Sequence, residues 1–126
     1  MKILNIIPIK QKLYENFYEE SLNIDFVCPY SSEKKEVNIL SEYSLLENLV
    51  LNNSLCKEDI IKNGMAKLTT KFDKHLGLFT VFPNLTAYYK LFECNESKKT
   101  YIIIFGFGES QPGRNLAYVT GIWNYV

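Results

Sequence analysis

The spacing of apolar and polar positions changes character near residue 77. Ahead of it, apolar residues recur mostly at helical intervals; beyond it they alternate or run together as β-branched and aromatic blocks. Tyr101-Ile102-Ile103-Ile104-Phe105 is the densest such block. It predicts a central strand covered on both faces, or covered by helices on one face and by a partner on the other. Gly106 to Arg114, with three glycines and a proline, reads as a wide hairpin loop, and Asn115 to the C-terminus reads as the last strand. Upstream, Gly77–Phe82 and Leu85–Cys94 read as two further strands, with turns at Pro83-Asn84 and Asn95–Lys99. Along 85–94, Ala87, Tyr89 and Leu91 share one face, and Thr86, Tyr88, Lys90 and Phe92 share the other. Four strands joined by short connections predict an antiparallel meander.

The first half predicts what covers that sheet. Residues 2–7 form a short strand, held to an edge or an end by Pro8. Lys10 to Ser21 fits an amphipathic helix on the i,i+4 pairs Leu13–Phe17 and Tyr14–Tyr18. Asn23–Cys28 fits a strand closed by Pro29, and the polar stretch Ser31–Glu36 a loop. Ser41–Asn53 fits a helix with the stripe Leu45, Leu46, Leu49 and Val50. A second helix follows at Cys56–Asn63, with Ser54 as cap, Glu58 and Asp59 in its first turn and Gly64 as its stop. The expectation is one α+β domain over 1–126: an N-terminal strand and two to three helices packed on a C-terminal four-stranded antiparallel meander.

Composition narrows the function classes. The chain has 126 residues and zero net charge, with 47% hydrophobic and 22% charged residues, which suits a globular domain with its own core. Residues 1–63 hold ten acids against seven lysines; residues 64–126 hold four acids against six lysines and Arg114, the only arginine. That modest asymmetry, with one guanidinium, argues against a dedicated nucleic-acid binder. Cys28, Cys56 and Cys94 are odd in number and lack a C-x-x-C pair. With His75 the only histidine, no metal or cofactor site is expected, and free thiols in a reducing compartment are. The apolar start, broken by Asn5 and Pro8, reads as mature sequence, and no stretch reaches transmembrane length. The expected location is cytoplasmic. The Lys-, Asn- and Ile-rich composition suits a low-GC bacterium or its phage.

Candidate chemistry is sparse. Gly106-Phe107-Gly108 lacks the following helix and Lys-Ser/Thr of a phosphate loop, so a hairpin accounts for it better. The aromatic set is larger: nine Tyr, eight Phe and Trp123, with Tyr88, Tyr89, Tyr118, Trp123 and Tyr125 on both faces of adjacent predicted strands. A single helical layer covers only one face, so part of this set is expected at the surface. The primary expectation is therefore a small protein-binding module of the inhibitor, immunity or antitoxin-like kind, facing a protein partner such as a toxin or nuclease. Its contacts would be Phe107, Glu109, Arg114, Tyr118, Trp123 and Tyr125. A first alternative is a ribonuclease-type toxin, with His75 as acid or base, Lys71 and Arg114 on the phosphate and Tyr118 assisting. Helices followed by a four-stranded antiparallel sheet is similar in layout to small ribonucleases of the barnase and RelE type. A second alternative is a domain holding a small apolar ligand between sheet and helices.

Overall fold

The computed structural model describes residues 1–7, 11–15, 21–70, 77–111 and 114–126. Strands take 53% of the described residues and helices 10%, which overturns the α+β expectation: the described residues are mostly β, with two short helices among them. The elements are β1 (Ile3–Ile7), β2 (Lys12–Glu15), β3 (Asn23–Val27), β4 (Lys34–Asn38), β5 (Ser44–Leu45), α1 (Glu47–Leu51), α2 (Lys57–Lys62), β6 (Lys67–Leu68), β7 (Phe79–Val81), β8 (Leu85–Glu93), β9 (Thr100–Gln111) and β10 (Arg114–Tyr125).

Eight strands make one curled antiparallel sheet in the order β1-β10-β9-β8-β7-β6, with β2 also on β10 and β5 also on β8. The three long strands form its middle. Each outer one carries two short strands end to end: β2 then β1 along β10, β7 then β5 along β8. Among the described residues, β3 and β4 pair only with each other.

β9 shows why the sheet needs two covers. Ile102 and Ile104 enter a core with Leu46 and Leu49 from the α1 region, Ile60 of α2, and Met65. Tyr101, Ile103 and Phe105 point the other way, into a core with Ile24, Phe26, Val37 and Ile39 of the β3–β4 hairpin. The continuous apolar run is thus a strand buried on both faces, and the chain's own hairpin fills the place offered to a partner. Phe26 is 2% exposed and sits edge-on to Tyr101 and Phe92, with ring centroids 4.8 and 5.1 Å away. Burying each such ring is worth about 2–3 kcal/mol.

The helix expectations fail where a neighbouring strand supplies a ladder. Lys12–Glu15 lies in register with Leu116–Val119 rather than in a helix, and residues 16–20 of that expected helix lie outside the described residues. Ser44–Leu45 pairs with Tyr88–Tyr89, which cuts the 41–53 helix to the single turn of α1. The expected loop at 31–36 is half strand, because Lys34–Val37 completes the hairpin. Short segments with weak intrinsic preference take the structure their tertiary partner offers. α2 falls where the helical pattern placed it, although its N-cap is Cys56 rather than Ser54.

The 106–114 loop is also corrected: β9 runs on to Gln111 and β10 begins at Arg114. Gly106 serves close approach rather than a turn. A Cβ there would lie 2.3 Å from Val81 Cγ2 and 2.7 Å from Leu85 Cβ, where the curled sheet brings β7 and the start of β8 over β9.

Candidate ligand-binding cleft

On the helix side the curl leaves a cleft of about 630 Å³. One wall is Ile61 of α2 and the run Gly64 to Leu68 entering β6. The other is Thr80 and Val81 of β7 with Phe82, and Gln11, Tyr118 and Thr120 close the far side. Phe82 and Tyr118, three strands apart in the sheet order, have ring centroids only 5.2 Å apart, a direct measure of the curl. The Tyr118 hydroxyl donates to Gln11 Oε1 at 2.9 Å, tying β10 to the residue that leads into β2. Met65 and Val81 are buried in the interior, whereas Ile61, Leu68 and Phe82 are 43%, 44% and 60% exposed.

Thr120 is the unusual group. It is 8% exposed, lines the cleft, and its Oγ1 has no hydrogen-bond partner among the described residues. Leaving a buried hydroxyl unpaired costs about 1–3 kcal/mol. It arises from a β-bulge: Val119 pairs with Phe105 and Gly121 with Ile104, so Thr120 is the extra residue on β10. The bulge reverses the face parity. Leu116 and Tyr118 face the helix side before it, and Trp123 and Tyr125 face the same side after it.

On the opposite side two buried thiols have hydrogen-bond partners. Cys28 and Cys94 occupy matching places in the β3–β4 and β8–β9 turns. Each accepts at its carbonyl the amide of the residue four on, donates its own amide to the carbonyl five on, and is followed by a left-handed residue, Ser32 or Lys98. The Cys28 Sγ lies 3.3 Å from Ser97 Oγ and 3.2 Å from Tyr101 Oη. Burial pushes its pKa up, but hydrogen bonds from Ser31, Ser97, Tyr101 and the Tyr30 backbone outweigh it and bring the thiol down to about 6. Cys94, buried beside Cys28, is pushed up to about 12, and Tyr101 is raised by burial and by the same neighbour. Both thiols are fully covered, so this cluster holds two turns together rather than facing a substrate.

The structure spreads the six residues expected at a partner surface over both faces of the sheet. Trp123 is 2% exposed, in the helix-side core, and Tyr118 and Tyr125 are half-buried against that core. Phe107 packs on the hairpin side and lines, with Tyr43, Gly108 and Glu109, a separate small cleft of about 310 Å³. Glu109 and Arg114 are exposed. Of the ribonuclease set, His75 and Lys71 lie outside the described residues. Arg114 and Tyr118 stand four residues apart on β10, roughly 13 Å along an extended strand. Among the described residues no group of His, Cys, Asp and Glu is arranged to hold a metal ion, and no helix is long and apolar enough to cross a membrane. Sequence reasoning missed Thr120, Thr80, Phe82 and Gln11. The available signal was Val119-Thr120-Gly121, a polar residue and a glycine interrupting an apolar strand.

The arrangement defines a class: an antiparallel β protein whose curled sheet is covered by a β-hairpin on one face and by two short helices beside a cleft of about 630 Å³ on the other. No protein-family model, no curated protein and no solved structure matches the chain.

Proposed function

We propose that the protein binds a small, largely apolar molecule in the helix-side cleft. The carrying observation is Thr120, a nine-tenths-buried hydroxyl without a partner among the described residues, inside an otherwise mainly apolar cavity. Ligand sites commonly combine apolar walls with a few convergent polar groups, and about 630 Å³ falls within their usual size range. A ligand oxygen or nitrogen would supply the bond the fold omits.

The test is titration with an environment-sensitive naphthalene probe, repeated on Leu68→Asp. Leu68 is 44% exposed, so a charge there stays out of the core while making the cleft mouth polar. Saturable 1:1 binding that weakens at least tenfold in the variant supports the reading. Equal binding by both proteins, or no saturable binding, refutes it.

A second reading has its own support. The exposed apolar rim of Ile61, Leu68 and Phe82 suits a protein partner that inserts a side chain, which would keep the inhibitor or immunity class with a different surface. Absence of probe binding, with a stoichiometric protein complex that Leu68→Asp abolishes, would favour it.

A further inference from the structure

The charges around the cleft narrow its occupant, a step that rests on the small-molecule reading above. The described lining residues include no carboxylate, and Lys67 is the only one with a formal charge. Lys67 lies exposed on β6, the edge of the sheet, so its ammonium remains hydrated while its stem borders the cleft. A cationic ligand would meet a like charge and, among the described lining residues, no compensating acid. An anionic one would find its counter-charge where both partners keep contact with water.

The deep polar group asks for something different. Thr120 is neutral and its hydroxyl both donates and accepts. No charged residue stands among its described neighbours in the cleft, so an ionised ligand group seated there would lose its hydration without compensation. Tyr118 adds selectivity of the same kind: its proton is committed to Gln11 Oε1, which leaves its oxygen as an acceptor only. The two polar ends of the cleft therefore read different chemistry.

We infer that the cleft takes an oxygenated carboxylic acid, with the acid toward Lys67, an apolar body along Met65, Val81 and Phe82, and a neutral hydroxyl or carbonyl oxygen on Thr120. The shared chemistry covers hydroxy and oxo fatty acids and phenolic acids of similar length.

Calorimetric titration of the full chain with ω-hydroxydecanoate, decanoate, decanediol and decylammonium tests this, each repeated with octyl and dodecyl homologues. The hydroxy acid should bind tightest and the ammonium weakest. Thr120→Val should weaken the hydroxy acid and the diol roughly five- to tenfold, the worth of one hydrogen bond, and leave decanoate unchanged. Lys67→Met should weaken both acids roughly two- to fivefold, the worth of an exposed ion pair, and leave the diol unchanged. Each substitution touches either an unpartnered hydroxyl or an exposed side chain, so both variants should unfold at the wild-type temperature or above it. Ammonium binding as tight as the acids, or a hydroxy acid indifferent to Thr120→Val, overturns the inference while the cleft remains a binding site. If none of the probes saturates the wild-type protein, the small-molecule reading itself falls.

Discussion

The two faces of the sheet solve the same burial problem in opposite ways. On the hairpin side, β3–β4 lays Ile24, Phe26, Val37 and Ile39 against Tyr101, Ile103 and Phe105, and the Cys28 thiol is hydrogen-bonded. On the helix side, α1 is five residues long and α2 six, and the cover stops short of Tyr118 and Thr120. One face therefore spends its contacts on stability, and the other keeps a cavity and an unpaired hydroxyl. Natural proteins place such local violations where function needs them, and this asymmetry is the reason the proposed ligand site is put on the helix side.

Substitutions should break this contrast unequally. Phe26→Ala removes a ring with two aromatic neighbours from the sealed face, and should cost about 3–5 kcal/mol by urea unfolding. Ile61→Ala at the cleft rim, 43% exposed, should cost less than about 0.5 kcal/mol. Comparable costs at the two positions would mean the faces are equally packed.

The thiol cluster makes the sealed face sensitive to pH. Cys28 falls to about 6 when folded, against roughly 8.5 for a free cysteine. The folded state thus sheds this proton first, and stability should rise with pH between about 6 and 8.5, by at most about 1.4 kcal/mol per pH unit. Above that range the order reverses. Cys94, pushed up to about 12, and Tyr101, also raised, keep their protons in the fold while the unfolded chain loses them, so stability should decline. Cys28→Ser should flatten the rise and leave the alkaline decline; unfolding midpoints across pH would show it. A rise that survives the substitution would remove Cys28 as its source.

Gly106 joins the two sides, because its missing Cβ lets β7 and β8 fold over β9 to form the cleft wall. Gly106→Ala would place a methyl 2.3 Å from Val81 Cγ2 and should cost about 1–3 kcal/mol. Probe affinity should fall with it, since Val81 lines the cleft. Stability loss with unchanged affinity would separate the curl from the site.

Gly106 also marks the limit of what could be read from residues alone. The run 101–105, the face assignments along β8 and the position of α2 follow from local patterns, and the structure has them there. β2, β4 and β5 carry too few alternating apolar residues to announce themselves, and became strands because an unpaired edge or a second hairpin strand was available. A glycine needed for close approach looks like a glycine needed for a turn, so a long strand end reads as a loop. The bulge at Thr120 matters most: without the parity reversal, Tyr118 and Trp123 fall on opposite faces, and the pattern predicts an exposed aromatic surface.

Thr120 carries a small effect on stability, of opposite sign to the others, and the sharpest test of the comparison. In the empty protein its hydroxyl is a cost, so Thr120→Val, which keeps the shape and removes the orphan oxygen, should raise stability by up to about 1 kcal/mol. The matching change on the sealed side, Cys28→Ser at pH 8, should lower it, because there the group's hydrogen bonds are made. Opposite signs for two conservative changes on opposite faces would show that one face is built for the fold and the other holds something in reserve. A destabilised Thr120→Val would mean that the hydroxyl already has a partner in solution, and the cleft would lose the feature that marks it as a site.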